Sequence, residues 1–125
     1  MLTSSQKKYL FAIYMLGQNG SPVKSTAVSE MLGVSKASTV KMTQRLIEED
    51  YIIKEPYREI RLTPKGIREA NALFTPSVII REYLSGTVGV SEDNARLDSM
   101  TMVSSLSDEC VEKLVQHSLK AIGNE

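Results

Sequence analysis

The chain has a single cysteine, Cys110, and a single histidine, His117. One thiol closes no disulfide within the chain and builds no cysteine-based zinc knuckle. On a shared helix the two residues face the same side but lie two turns apart, about 10.5 Å of rise. Metal–ligand bonds are only about 2.0–2.3 Å long, so the pair cannot hold one ion. There is no Gly-rich phosphate loop, and no Ser, His and acid set has motif context, so the reading is not an enzyme. Glu48, Glu49 and Asp50 cluster at an expected helix end, where a solvated face accounts for them. Long apolar runs are also missing. The run Tyr9 to Leu16, behind Lys7 and Lys8, is too short to span a membrane. No small-residue cleavage site follows it. It reads as the core helix of a cytoplasmic protein with no membrane partner. Repeats and low-complexity segments are absent.

Excess charge of either sign is missing too. The 125 residues carry 15 Lys or Arg and 15 Asp or Glu, a net charge of zero, which argues against a uniformly basic nucleic-acid coat. The distribution is uneven. Residues 1–70 hold 11 basic and 7 acidic side chains, and residues 71–125 hold 4 and 8. A basic front half joined to an acidic back half is compatible with a DNA-facing module followed by something else.

Turn and cap residues divide the chain. A first helix from Ser4 or Ser5 to about Leu16 ends at Gly17 and Asn19 to Pro22. Ser25 or Thr26 offers an N-cap for a short helix through Leu32. Gly33 stops it, where a positive φ is cheap for glycine. Ser35 caps a further helix to about Glu49. Helix, Gly-containing turn and helix make a helix-turn-helix, with Val28, Leu32, Val34, Val40 and Leu46 expected as the shared buried seam. Two β-rich runs follow, Tyr51 to Glu55 and Glu59 to Leu62, around a turn carrying Arg58. A helix-turn-helix with an appended hairpin is the winged-helix arrangement. Thr63–Pro64 then starts a helix to Phe74, and Thr75–Pro76 is expected to open another ending at Gly86. Ser91 caps a helix from Glu92 to about Val103. Ser107, Asp108 and Glu109 start a last one, with Val111, Leu114, Val115, Leu119 and Ile122 at helical spacing. The expected fold is mainly α: a winged helix-turn-helix DNA-binding domain over 1–74 and an all-helical dimerisation domain over 75–125. Apolar stripes exposed in a monomer point to a homodimer.

The start of the third helix is short and polar. A major groove about 12 Å wide admits one helix whose N-terminal residues reach base edges. Ser35, Lys36, Ala37, Ser38, Thr39 and Lys41 form the candidate groove-facing set. Hydroxyls can meet bases or phosphates, and an Ala or Thr methyl suits the thymine methyl. Arg45, one turn beyond Lys41, is within reach of a phosphate. Lys24 and Thr26 at the start of the preceding helix, and Arg58 in the wing, are placed for the DNA backbone. The expected partner is double-stranded DNA, bound in a salt-dependent way.

The stretches "YLFAIYML", "AVSEMLGVSKASTVKMTQRLIEEDYI", "EPYREIRLTPKG" and "LSDECVEKL", in order and with matching spacing from about Gln6 to Leu119, resemble the diphtheria-toxin-repressor family of the short manganese-transport-regulator type. The resemblance implies a homodimeric regulator of palindromic operators, without the SH3-like third domain of longer members. It also implies activation by Mn²⁺ or Fe²⁺ between the first helix and the dimerisation region. The implied ligand positions fall on Lys8, Phe11, Ser77, Met100, Val103 and Ser104, and an ancillary set on Ser77, Arg81 and Arg96. Members use carboxylates, His, and in some cases Cys or Met there. Hard divalent ions want anionic oxygen or imidazole, and only Met100 is a conceivable, soft ligand. No metal cofactor is therefore expected from the residues. Phe11, Met100 and Val103 are expected to form an apolar plug instead. The acidic side chains Glu92, Asp93, Asp98, Asp108 and Glu109 suit helix N-termini. The expected function is DNA-binding regulation without the family's metal switch, with room for an unknown small-molecule effector. The alternatives are a retained Mn²⁺ or Fe²⁺ response through a non-standard site, and a protein-interaction module built on a winged helix.

Overall fold

A computed structural model describes residues 2–54 and 59–123. The elements run α1 (Ser4–Leu16), α2 (Ser25–Leu32), α3 (Lys36–Glu48), β1 (Ile52–Lys54), β2 (Ile60–Leu62), α4 (Pro64–Tyr83), α5 (Glu92–Ser105) and α6 (Asp108–Gly123). The protein is mainly helical with one two-stranded antiparallel sheet. It divides into two compact units between residues 71 and 72, a point that lies within α4.

In the first unit, Thr3 begins α1 with a reciprocal cap. Its hydroxyl accepts from the Gln6 N–H at 3.1 Å, and the Gln6 side chain accepts from the Thr3 N–H at 2.9 Å. Leu10, Ala12 and Ile13 of α1 are buried, as are Val28 of α2, Leu46 of α3, and Ile52 and Ile60 of the sheet. The N-cap of α2 is Lys24, not Ser25 or Thr26. The Ser25 hydroxyl instead accepts from Lys54 Nζ at 3.1 Å, which ties the base of the wing to α2. Gly33, at φ +65°, ends α2. In the sheet Ile52 pairs with Leu62 and Lys54 with Ile60. Val23 adds a single bridge on the far side of β2, through Ile60 N–H to the Val23 carbonyl at 2.8 Å.

The expected seam needs correction on α3. Val28 and Leu46 are buried and Leu32 is half-buried, but Val34, in the turn before α3, and Val40, on α3, are exposed. The buried stripe of α3 is Thr39, Thr43 and Leu46. Helical phase explains it: at about 100° per residue, Thr39 lies within about 20° of Leu46, while Val40 is about 120° away. The Thr39 hydroxyl meets that of Ser29, also buried, at 2.7 Å and donates to the Ser35 carbonyl at 3.2 Å. The helix pair is thus joined through buried hydroxyls that satisfy one another.

The segment Thr63–Gly66 fastens α4 to the end of α3. Thr63 Oγ1 donates to the Asp50 carbonyl at 2.7 Å and accepts from the Gly66 N–H at 3.1 Å. Thr63 N–H donates to the Tyr51 carbonyl at 3.1 Å. Lys65 Nζ donates to the Glu49 carbonyl at 2.9 Å and sits 4.3 Å from the centre of the Tyr51 ring. Gly66 packs so close to the Tyr51 carbonyl that a Cβ there would lie 2.1 Å from its oxygen.

The expected break at Thr75–Pro76 does not occur; α4 continues through Pro76 to Tyr83. Proline withholds only its own N–H, from the carbonyl of Ala72. Ala72 is exposed, so water can serve that group. Ser77 Oγ donates to the Phe74 carbonyl at 2.6 Å. A wide turn over Leu84–Val88 ends at Gly89, φ +92°. Within the second unit, Ser91 caps α5 by accepting from the Asn94 N–H at 3.3 Å, and the Ser107 hydroxyl accepts from the Cys110 N–H at 3.1 Å as α6 begins. α5 runs two residues beyond the expected Val103. His117 meets Tyr83 edge to face, 5.8 Å between ring centres. Among the described residues no helix is long and apolar enough to cross a membrane.

Candidate nucleic-acid interface

The N-terminal half of α3 presents Lys36, Ala37, Ser38, Val40 and Lys41 to solvent. Ser35 is the N-cap: its hydroxyl accepts from the Ser38 N–H at 3.0 Å and donates to the Ser38 hydroxyl at 2.9 Å. The two serines are therefore exposed but linked, with Ser35 committed to starting the helix. Thr39, expected in the groove-facing set, is 1% exposed and points inward, so the structure removes it from that set. Its hydroxyl holds α2 to α3.

Val40 and Gln44 are also open on the outward side of α3. Val40 is 65% exposed on the solvent face of α3. Gln44 is exposed one turn further on, its amide donating to Glu48 at 3.5 Å. Lys36, Val40 and Gln44 recur at i, i+4 and i+8, one strip of a helix. That spacing was the available signal, masked by the assumption that a valine belongs inside. An aliphatic side chain suits a thymine methyl, and a glutamine can pair with adenine through two hydrogen bonds. Arg45 is exposed but forms an ion pair with Glu49 at 3.4 Å. Glu49 also accepts from the amide of Gln6, itself 1% exposed, so the first turn of α1 is tied to the end of α3.

Lys24 and Thr26, at the start of α2, are exposed. Arg58 lies outside the described residues. In β2, Arg61 is exposed and pairs with Glu59 at 3.5 Å. A cavity of about 600 Å³ in this unit, on the side of β2 next to Val23, is lined by Ile13, Tyr14, Ile60, Leu62 and Ile67 with Asn19 and Ser21 beside them.

The residues at the positions that the resemblance gives to a metal do not suit one. Phe11 and Val103 are buried hydrocarbon, 3% and 4% exposed. Ser77 is buried with its hydroxyl donating to a backbone carbonyl. Ser104 is buried, Met100 is a half-buried thioether, and Lys8 is a half-exposed amine. None offers anionic oxygen or imidazole. Among the described residues no three His, Cys, Asp or Glu side chains group where they could hold an ion.

Two helices joined by a tight glycine turn, a second helix with an exposed polar N-terminal face, and a hairpin behind it define a winged helix-turn-helix DNA-binding regulator. A family described as iron dependent repressor, N-terminal DNA binding domain, matches residues 1–60. The chain is 31% identical over 114 residues to an HTH-type transcriptional regulator of Methanocaldococcus jannaschii, covering 90% of this chain and 91% of that protein. It is 30% identical over 114 residues to the HTH-type transcriptional regulator MntR of Geobacillus kaustophilus, covering 91% and 80%. The chain belongs to this family of iron-dependent-repressor-like transcriptional regulators and is a DNA-binding regulator of transcription. Solved structures agree in fold. The manganese regulator SloR superposes with a TM-score of 0.72 at 24% identity, over 90% of this chain and 52% of that one. IdeR of T. acidophilum superposes with a TM-score of 0.74 at 23% identity, over 94% and 53%. The chain spans about half the length of these two structures.

Proposed function

We propose that the protein regulates transcription as a homodimer that reads a two-fold symmetric DNA site, with the exposed N-terminal face of α3 in the major groove. The observation that carries this is the polarity of α3. Its inward stripe is Thr39, Thr43 and Leu46, while Lys36, Ala37, Ser38, Val40 and Lys41 remain open on the outward side. Lys36 and Lys41 supply the charge, Ala37 and Val40 supply methyl groups for thymine, and Ser38 and Gln44 supply hydrogen bonds. Lys24 and Thr26 fit backbone contacts from α2, and the sequence offers Arg58 as a further cation for the same role. Pairing falls to the second unit, residues 72–125. Val78, Val88, Leu97, Leu106 and Leu119 are exposed there, apolar side chains that a second copy of the chain would cover.

Charge reversal tests the assignment. Lys36→Glu and Lys41→Glu sit on the exposed face and should leave the unfolding temperature within a degree or two. Each removes a counterion-releasing contact, so the double variant should lose DNA affinity by orders of magnitude and flatten the salt dependence by roughly two in slope. A double variant that binds DNA as the parent does would place the interface elsewhere. If the double variant and the parent pulled down the same protein while neither bound DNA, the interaction-module reading would replace this one.

A further inference from the structure

We infer that this regulator reaches its DNA-binding state without a divalent cation, its recognition helix being seated by bonds among its own side chains. The inference rests on the DNA-binding reading above and adds how that binding is controlled. Two observations carry it. The first is the donor set at the positions that correspond to the family's metal ligands. A hard divalent ion needs several anionic oxygens or imidazoles to replace its hydration shell. Here the six positions provide sealed hydrocarbon at Phe11 and Val103, neutral hydroxyls at Ser77 and Ser104, a soft thioether at Met100 and a cationic amine at Lys8. The amine would repel the ion, and the hydrocarbon would cost it solvation with nothing in return.

The second observation is what holds α3. Its C-terminal end is tied to α1 through the Gln6 amide on the Glu49 carboxylate, and Arg45 pairs with that same carboxylate at 3.4 Å. Lys65 Nζ closes the Glu49 carbonyl at 2.9 Å. Near its N-terminal end, the Ser29–Thr39 hydroxyl contact joins α3 to α2. These contacts hold the two ends of α3 to α1, α2 and the start of α4.

The test uses the full chain, stripped with EDTA. Thermal unfolding is followed as Mn²⁺, Fe²⁺ under anaerobic conditions, Co²⁺ and Zn²⁺ are added separately, and retention of a random-sequence DNA duplex pool is measured with EDTA and with Mn²⁺. The expected result is an unfolding temperature unmoved by any of the ions and equal DNA retention with EDTA and Mn²⁺. A saturable rise of several degrees with any ion overturns the inference, since an ion that binds the folded state alone must stabilise it. Retention that appears only with Mn²⁺ overturns it too, while leaving the DNA-binding reading intact. If DNA is retained under neither condition, the DNA-binding reading fails, and the unfolding series still decides whether the chain binds an ion.

Discussion

Replacing Gly66 by alanine is expected to destabilise the first unit, although alanine is the better helix former. In an unconstrained helix interior the change would gain about 1 kcal/mol. Here the new Cβ would stand 2.1 Å from the Tyr51 carbonyl oxygen and 3.1 Å from Leu62 Cδ2. The first distance is about 1.4 Å inside the roughly 3.5 Å at which heavy atoms rest. The obstacle is backbone, so no side chain can swing aside. α4 has to back away from the Tyr51 segment. Doing so strains the bonds from Thr63 N–H to the Tyr51 carbonyl and from Thr63 Oγ1 to the Asp50 carbonyl, at 3.1 and 2.7 Å. Overpacking costs about 1–3 kcal/mol, and two weakened hydrogen bonds add about 0.5–1.5 kcal/mol each. Set against the helix gain, the net loss comes to about 1–5 kcal/mol. For a chain of this length that corresponds to a fall of roughly 4–20 °C in the unfolding temperature. Urea and thermal unfolding of parent and variant read it directly. A variant as stable as the parent, or more so, would mean that α4 does not begin against the Tyr51 carbonyl, and the anchoring of the wing to α3 would have to be redrawn.

Three further expectations follow from the same contacts. Thr39→Val keeps the shape but removes a buried hydroxyl, leaving Ser29 its bond to the Ser25 carbonyl at 3.0 Å. It should cost about 1 kcal/mol in chemical denaturation and leave the DNA affinity of the folded protein unchanged; loss of affinity without loss of stability would return Thr39 to the groove. Phe11→Glu places a carboxylate where the side chain is 3% exposed, which should cost several kcal/mol; a variant of parental stability would show that the position is not apolar interior. The Lys36→Glu and Lys41→Glu pair should act the opposite way to Thr39→Val, weakening DNA binding with little change in the denaturation midpoint.

The order of elements was legible in the sequence because caps and turns act locally. Ser35, Ser91 and Ser107 cap where their spacing to the following apolar residues placed them, and Gly33 ends α2 with the positive φ that glycine tolerates. The face of α3 was harder. A hydrophobicity pattern assigns Val40 inward and Thr39 outward, yet the phase set by Leu46 does the reverse. The buried threonine is stable because Ser29, ten positions earlier, supplies its partner. That pairing is tertiary and leaves no mark in local periodicity. Thr75–Pro76 looks like a helix start by the same rule that correctly reads Thr63–Pro64. The difference is that helix already precedes it, so the proline forfeits one bond rather than opening a new element. The tie from Gln6 to Glu49 joins residues 43 positions apart and had no sequence signal.

The most direct test of the account is selection of the sequences that the full chain binds from a random DNA duplex pool, carried out in EDTA. The account predicts enrichment of an inverted repeat whose half-sites lie about one helical turn or a multiple of it apart, and loss of that enrichment with the Lys36→Glu, Lys41→Glu variant. A pool that stays unenriched in EDTA, or one whose enriched motif survives the double substitution, would contradict it.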